Sequence, residues 1–125
     1  MRCTNLLAFV KDRLVGHAAL DSMGVSDGRE FLIFVHQDFQ NQGIGQILTF
    51  LMLNEAGRQG CRKVWLMVDC FNSIAISVYH KTGFRICGCM EQERMMSVDP
   101  LKSSSKMNAS YRESLFLTGK AFTSS

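Results

Sequence analysis

The sequence predicts a mixed α/β domain, with antiparallel strand pairing early and crossover helices later. Two observations lead to that class. Apolar runs of strand length come first back to back and then alternate with helical stripes. A glycine-rich turn, Gly43-Ile44-Gly45, also stands between a nearly continuous apolar strand and a helix. At 125 residues the chain suits one such domain and leaves little room for a second.

Leu6 to Val10 and Leu14 to Leu20 are apolar and flank the polar Lys11-Asp12-Arg13, the pattern of a hairpin. Breakers mark Gly24 to Gly28 as a loop. Glu30 to Val35 is β-rich and almost wholly apolar, which predicts a central strand covered on both faces. Beyond the polar stretch 36–42, Ile44, Ile47, Leu48 and Leu51 fall at helical spacing, and Gly57 and Gly60 bracket the end of that helix. Lys63 to Val68 reads as a strand, and Asn72-Ser73 supplies capping side chains for a short helix that Gly83 stops. Phe84 to Met90 is a further strand, with Glu93 to Val98 as its partner. The domain is expected over 1–98. A Ser-rich tail follows over 99–125, where Tyr111 to Phe122 holds enough apolar residues for one more strand.

Composition narrows the function. Hydrophobic residues make up 46% and charged residues 20%, which excludes global disorder. The apolar runs are too short to cross a bilayer and the start lacks a secretory pattern, so a soluble, cytoplasmic protein with no membrane partner is expected. Net charge is +3. The tail from Asp99 holds four basic residues against two acidic ones, and no basic stripe with interleaved aromatics appears, so no nucleic-acid partner is expected. The five cysteines have neither a disulfide rhythm nor zinc-loop spacing, which points to reduced thiols and no metal.

Gln40-Asn41-Gln42-Gly43-Ile44-Gly45 carries the chemistry. Glycines let the backbone approach a ligand, and the helix that follows begins with unpaired N–H groups and partial positive charge, a setting for a pyrophosphate. A dinucleotide fingerprint would need Gly or Ala where Leu48 stands, and a P-loop would need Gly-Lys-Ser/Thr.

Gln40-x-x-Gly43-x-Gly45 after the Phe34-Val35 strand end resembles the acetyl-CoA signature of the GNAT superfamily of acyl-CoA-dependent N-acyltransferases. Asn72-x-x-Ala75-Ile76-x-x-Tyr79-x-x-x-Gly83-Phe84 is similar to the later asparagine–tyrosine–Gly-Phe pattern of that superfamily, one helix and one strand further on. The resemblance covers Leu6 to Met90. It implies a GNAT-like fold lacking the usual first strand and first two helices, with Leu6 to Val10 in the place of the second strand. Those missing elements usually form part of the acceptor wall. A partner subunit or a further domain over the exposed sheet edge is left open, and with it a homodimer.

The resemblance implies an acetyltransferase that moves an acetyl group from acetyl-CoA, as co-substrate, to a primary amine by direct attack in a ternary complex. The acceptor class, a small amine, a peptide N-terminus or a protein lysine, stays open. Phe34, Val35, His36 and Gln37 are implied at the pantetheine arm, through backbone groups of Val35 to Gln37. Gln40, Asn41, Gln42, Gly43, Ile44, Gly45 and Gln46 are implied at the pyrophosphate, Asn72 at the cofactor, and Tyr79 as cofactor contact and proton donor to the leaving thiolate. Glu30 is the candidate general base, with a water chain as the alternative, and His36 is a runner-up base. Two other readings stay open: a non-catalytic acyl-CoA-binding or regulatory module, and a fragment that needs a partner chain.

Overall fold

Among the described residues, seven strands form one sheet in the order β5-β6-β4-β3-β2-β1-β7. The computed structural model describes residues 4–21 and 28–102, and describes 120–124 as backbone alone. Strand β1 (Thr4–Val10) pairs antiparallel with β2 (Arg13–Leu20), and β2 pairs antiparallel with β3 (Arg29–Val35). Lys11 and Asp12 turn the first hairpin with φ of 48° and 67°, the paired positive φ that matches the twist of the flanking strands.

A 3-10 turn (Gln37–Phe39) leads to α1 (Ile44–Arg58), then β4 (Val64–Asp69), α2 (Ser73–Lys81), β5 (Arg85–Met90) and β6 (Glu93–Val98). Both helices end on the same hydrogen-bond pattern. In α2, Gly83 at φ 103° lets its own N–H reach the His80 carbonyl and the Phe84 N–H reach the Tyr79 carbonyl. In α1, Gly60 and Cys61 do the same to Gly57 and Ala56; Gly57 itself lies inside the helix. Strand β7 (Lys120–Ser124) runs antiparallel along β1, from Val10↔Lys120 to Leu6↔Ser124. The remainder of the expected Tyr111 to Phe122 strand, and Ser103 to Ser105, lie outside the described residues.

The core forms where one face of the sheet meets α1. Leu6, Ala8, Val15, Ala18, Leu20, Phe31, Val64, Leu66, Val68 and Met96 pack with Ile44, Leu48, Met52, Leu53 and Ala56. Phe84 is fully buried beside Phe31 and Tyr79, which draws α2 onto the same face. The opposite face differs from expectation. Leu32 is 51% exposed and Phe34 is 66% exposed, so β3 is central in the sheet but covered on one face among the described residues. Both described helices pack on the Phe31, Ile33, Val35 side.

One irregularity positions the site. Strands β3 and β4 pair in parallel only at Arg29↔Val64 and Glu30↔Trp65. Beyond those residues they part, and a gap opens toward their C-terminal ends.

Candidate functional site

The gap exposes particular backbone groups. The Asp21 N–H donates to the Glu30 carbonyl at 2.9 Å, and the His36 N–H donates to the Val15 carbonyl at 2.7 Å. Strand alternation therefore turns the even-numbered amides of β3 toward β2, and the Ile33 and Val35 amides toward β4. The ladder to β4 has already ended there, so Ile33 and Val35 present a short open strand edge. The Gln40 side-chain amide donates to the Val35 carbonyl at 3.1 Å and ties the following loop to that edge.

The same loop delivers a helix N-terminus. Gly43 caps α1 at φ 81° and ψ 1°, a left-handed conformation that costs a side-chain-bearing L-residue about 1–2 kcal/mol. Gly43 has no side chain to cap this end, and the first intrahelical bond runs from the Ile47 N–H to the Gly43 carbonyl at 3.0 Å. The N–H groups of Ile44, Gly45 and Gln46 are thus the free donors of the first turn. Together with the helix dipole they form an anion-binding end.

Helix α2 forms the opposite wall. The Ala75 N–H donates to Asn72 Oδ1 at 3.1 Å, so Asn72 caps the helix and keeps its Nδ2 for another partner. Ile74, Ser77, Val78 and Lys81 share one face at i, i+3, i+4, i+7 spacing, and that face lines a cavity of about 690 Å³ with Ile33, Val35, Phe39, Gln40, Asn41 and residues 43–46. Tyr79 reaches the cavity between Phe31, edge-on at 6.5 Å, and Phe84 at 5.7 Å. Burial pushes its phenol above the ordinary value near 10, so the hydroxyl stays protonated at neutral pH. Among the described lining residues there is no carboxylate and no imidazole.

Of the residues singled out from sequence, Val35, Gln40, Asn41, Gly43, Ile44, Gly45, Gln46, Asn72 and Tyr79 come together around the cavity. Phe34 points to the other face of the sheet, and Gln37 and Gln42 are exposed outside the lining. His36 caps the 3-10 turn, its Nδ1 accepting from the Asp38 N–H at 3.2 Å. Glu30 stands at the start of β3, five residues from Val35 and about 17 Å away along the strand. Alternation places it on the Leu32–Phe34 face, and it does not line the cavity. Sequence reasoning missed Phe39 and the outer face of α2. Phe39 is one apolar residue in a polar loop, and the α2 face repeats at 74, 77, 78 and 81, which is a legible signal.

A parted strand pair with a glycine-opened helix N-terminus aimed into the gap defines a domain suited to an extended ligand that carries an anion. The chain belongs to the acetyltransferase (GNAT) family, whose profile matches residues 1–84. It is 32% identical over 66 residues to the ribosomal protein bS18-alanine N-acetyltransferase of Escherichia coli K12, a match that covers 53% of this chain and 45% of that protein. It is 36% identical over 73 residues to the mycothiol acetyltransferase of Actinosynnema mirum, covering 58% of this chain and 25% of the relative. The chain thus spans less than half the length of these curated relatives. Among solved structures, yncA of Salmonella typhimurium, a putative acetyltransferase with its cofactor acetyl-CoA, superposes with a TM-score of 0.72 at 20% identity, covering 84% of this chain and 68% of that one. The fold is therefore that of the family. No described helix is long and apolar enough to cross a membrane, and no described group of three His, Cys, Asp or Glu could hold a metal ion.

Proposed function

We propose that this chain is an N-acetyltransferase that moves an acetyl group from acetyl-CoA to a primary amine by direct attack in a ternary complex. The observation that carries this reading is the convergence, in one cavity, of the open β3 edge, the uncapped α1 N-terminus and the protonated Tyr79. An extended pantetheine arm adds to Ile33 and Val35 as a further strand would. The pyrophosphate meets the N–H groups of Ile44, Gly45 and Gln46. Each such contact contributes on the order of 0.3–1 kcal/mol, so several aligned donors are needed. Asn72 Nδ2 and Lys81 supply donors from α2.

In the transfer, the neutral amine nitrogen attacks the thioester carbonyl carbon. The C–S bond breaks as the C–N bond forms, Tyr79 gives its proton to the departing thiolate, and water takes the proton lost by the amine. A phenol is matched in basicity to an alkyl thiolate closely enough for that donation. Water is given the base role because Glu30 lies outside the cavity. The four described cysteines, Cys61, Cys70, Cys87 and Cys89, are free thiols, which supports a reducing, cytoplasmic setting.

A second reading, an acyl-CoA-binding module without turnover, is favoured by the lack of a carboxylate or imidazole among the described lining residues. Release of free thiol from acetyl-CoA in the presence of amine acceptors, small amines and peptides with free N-termini among them, separates the two. The transferase reading predicts acceptor-dependent release; tight binding with none across the panel supports the module.

A further inference from the structure

We infer that the chain carries a second anion site, for a small oligophosphate, at the end of the sheet remote from the acyl-CoA cleft. Arg62 and Lys63 precede β4, Arg85 opens β5, and Lys102 follows β6. The register Arg85↔Ser97, Trp65↔Ser97 and Val64↔Val98 brings these three strand ends together. Their side chains line one open cavity of about 450 Å³.

Four cations and one carboxylate, Asp99, line it. Arg62 Nε holds Asp99 at 3.2 Å. Among the described residues Lys63 and Arg85 form no salt bridge to a carboxylate, while Lys102 lies within electrostatic reach of Asp99. The one carboxylate in the lining is thus engaged, and the cluster keeps a surplus of positive charge. Desolvation alone would raise the Asp99 carboxyl, but the Leu101 N–H, the Arg62 guanidinium and the Lys102 ammonium together outweigh it, so the net shift is downward.

Like cations gathered this way repel one another, and an anion spanning them relieves that repulsion. Arg85 offers a planar fork, while Lys63 and Lys102 offer point charges, a set suited to several phosphoryl groups in a chain rather than to one flat carboxylate. The cavity is open and is lined by Arg62, Lys63, Arg85 and Lys102 with no aromatic ring, so charge rather than ring stacking is what it reads.

Titration of the ¹⁵N-labelled chain with inorganic tripolyphosphate, followed by amide chemical shifts, tests this. Saturable shifts are expected at Gly83, Arg85, Ser97, Val98 and Lys102. The pair Lys63→Glu and Arg85→Glu should weaken them by about tenfold or more, while any shifts at Gly43, Gly45 and Gln46 stay as they were. The spectrum of the variant itself reports whether it is folded, and the single variant Arg85→Gln, which should weaken the shifts severalfold, serves if the double variant is not. Shifts confined to residues 43–46, or non-saturating shifts spread over all lysines, would overturn the site. A parallel titration with a nucleoside triphosphate separates sources: equal affinity points to a phosphate chain alone, and tighter binding to a nucleotide.

Discussion

The two ends of the sheet gather positive potential by opposite means. At the cleft end most donors are backbone N–H groups of one contiguous segment, residues 44–46, in a loop 40–46 that holds no lysine or arginine, with Lys81 the one cation among the described lining residues. At the far end the donors are side chains from three strand ends, joined only by the register of β4, β5 and β6. A backbone site is fixed in geometry once Gly43 takes its left-handed turn, so it can select a shaped ligand. A side-chain site is mobile and screened by salt, so it selects charge.

The largest expected effect tests the chemistry at the cleft end. Under the proposed mechanism, in which the hydroxyl protonates the leaving thiolate, Tyr79→Phe should lower turnover by about 10²–10⁴-fold while leaving acetyl-CoA affinity nearly unchanged. Thiol release alongside calorimetric titration reads both, and unchanged turnover would remove Tyr79 from the mechanism. Tyr79 also gives a pH signature. Its folded-state value is raised, so the stability linked to its protonated form is present below pH 10 and is lost as pH rises through that higher value. Thermal midpoints of the parent chain should therefore fall more steeply above pH 10 than those of Tyr79→Phe.

Phe84→Ala should destabilise the fold by about 3–5 kcal/mol in denaturant unfolding, since the ring is fully buried against Phe31 and Tyr79. Gly43→Val should cost about 1–2 kcal/mol of stability through its positive φ, and should weaken acetyl-CoA binding more than it weakens the fold. The far end supplies the smallest change. Asp99 is held below the ordinary carboxylate value, so its contribution is present above that value and is lost as pH falls through the lowered one. Asp99→Asn should flatten the acid side of the stability profile and leave the cleft untouched.

The same contrast explains what was legible in the sequence. Lys11-Asp12, Gly43, Asn72 and Gly83 act within a few residues of themselves, so hairpin, glycine turn into α1, cap and helix stop could all be read locally. The parting of β3 from β4 is a relation between strands 35 residues apart in sequence, and no local pattern encodes it. Glu30 was a candidate by position along the strand, but a one-residue difference in parity sends a strand side chain to the other face. Arg62, Lys63, Arg85 and Lys102 formed no stripe in sequence, and tertiary register alone assembles them.

The most direct test of the central claim is calorimetric titration with acetyl-CoA, beside free CoA and NAD, of the parent chain and of Gly43→Glu. Micromolar binding of acetyl-CoA and CoA but not NAD, lost in Gly43→Glu while the fold survives, is the predicted result. Binding that persists undiminished in Gly43→Glu, or a folded parent chain that binds none of the three, would contradict the assignment of the cleft.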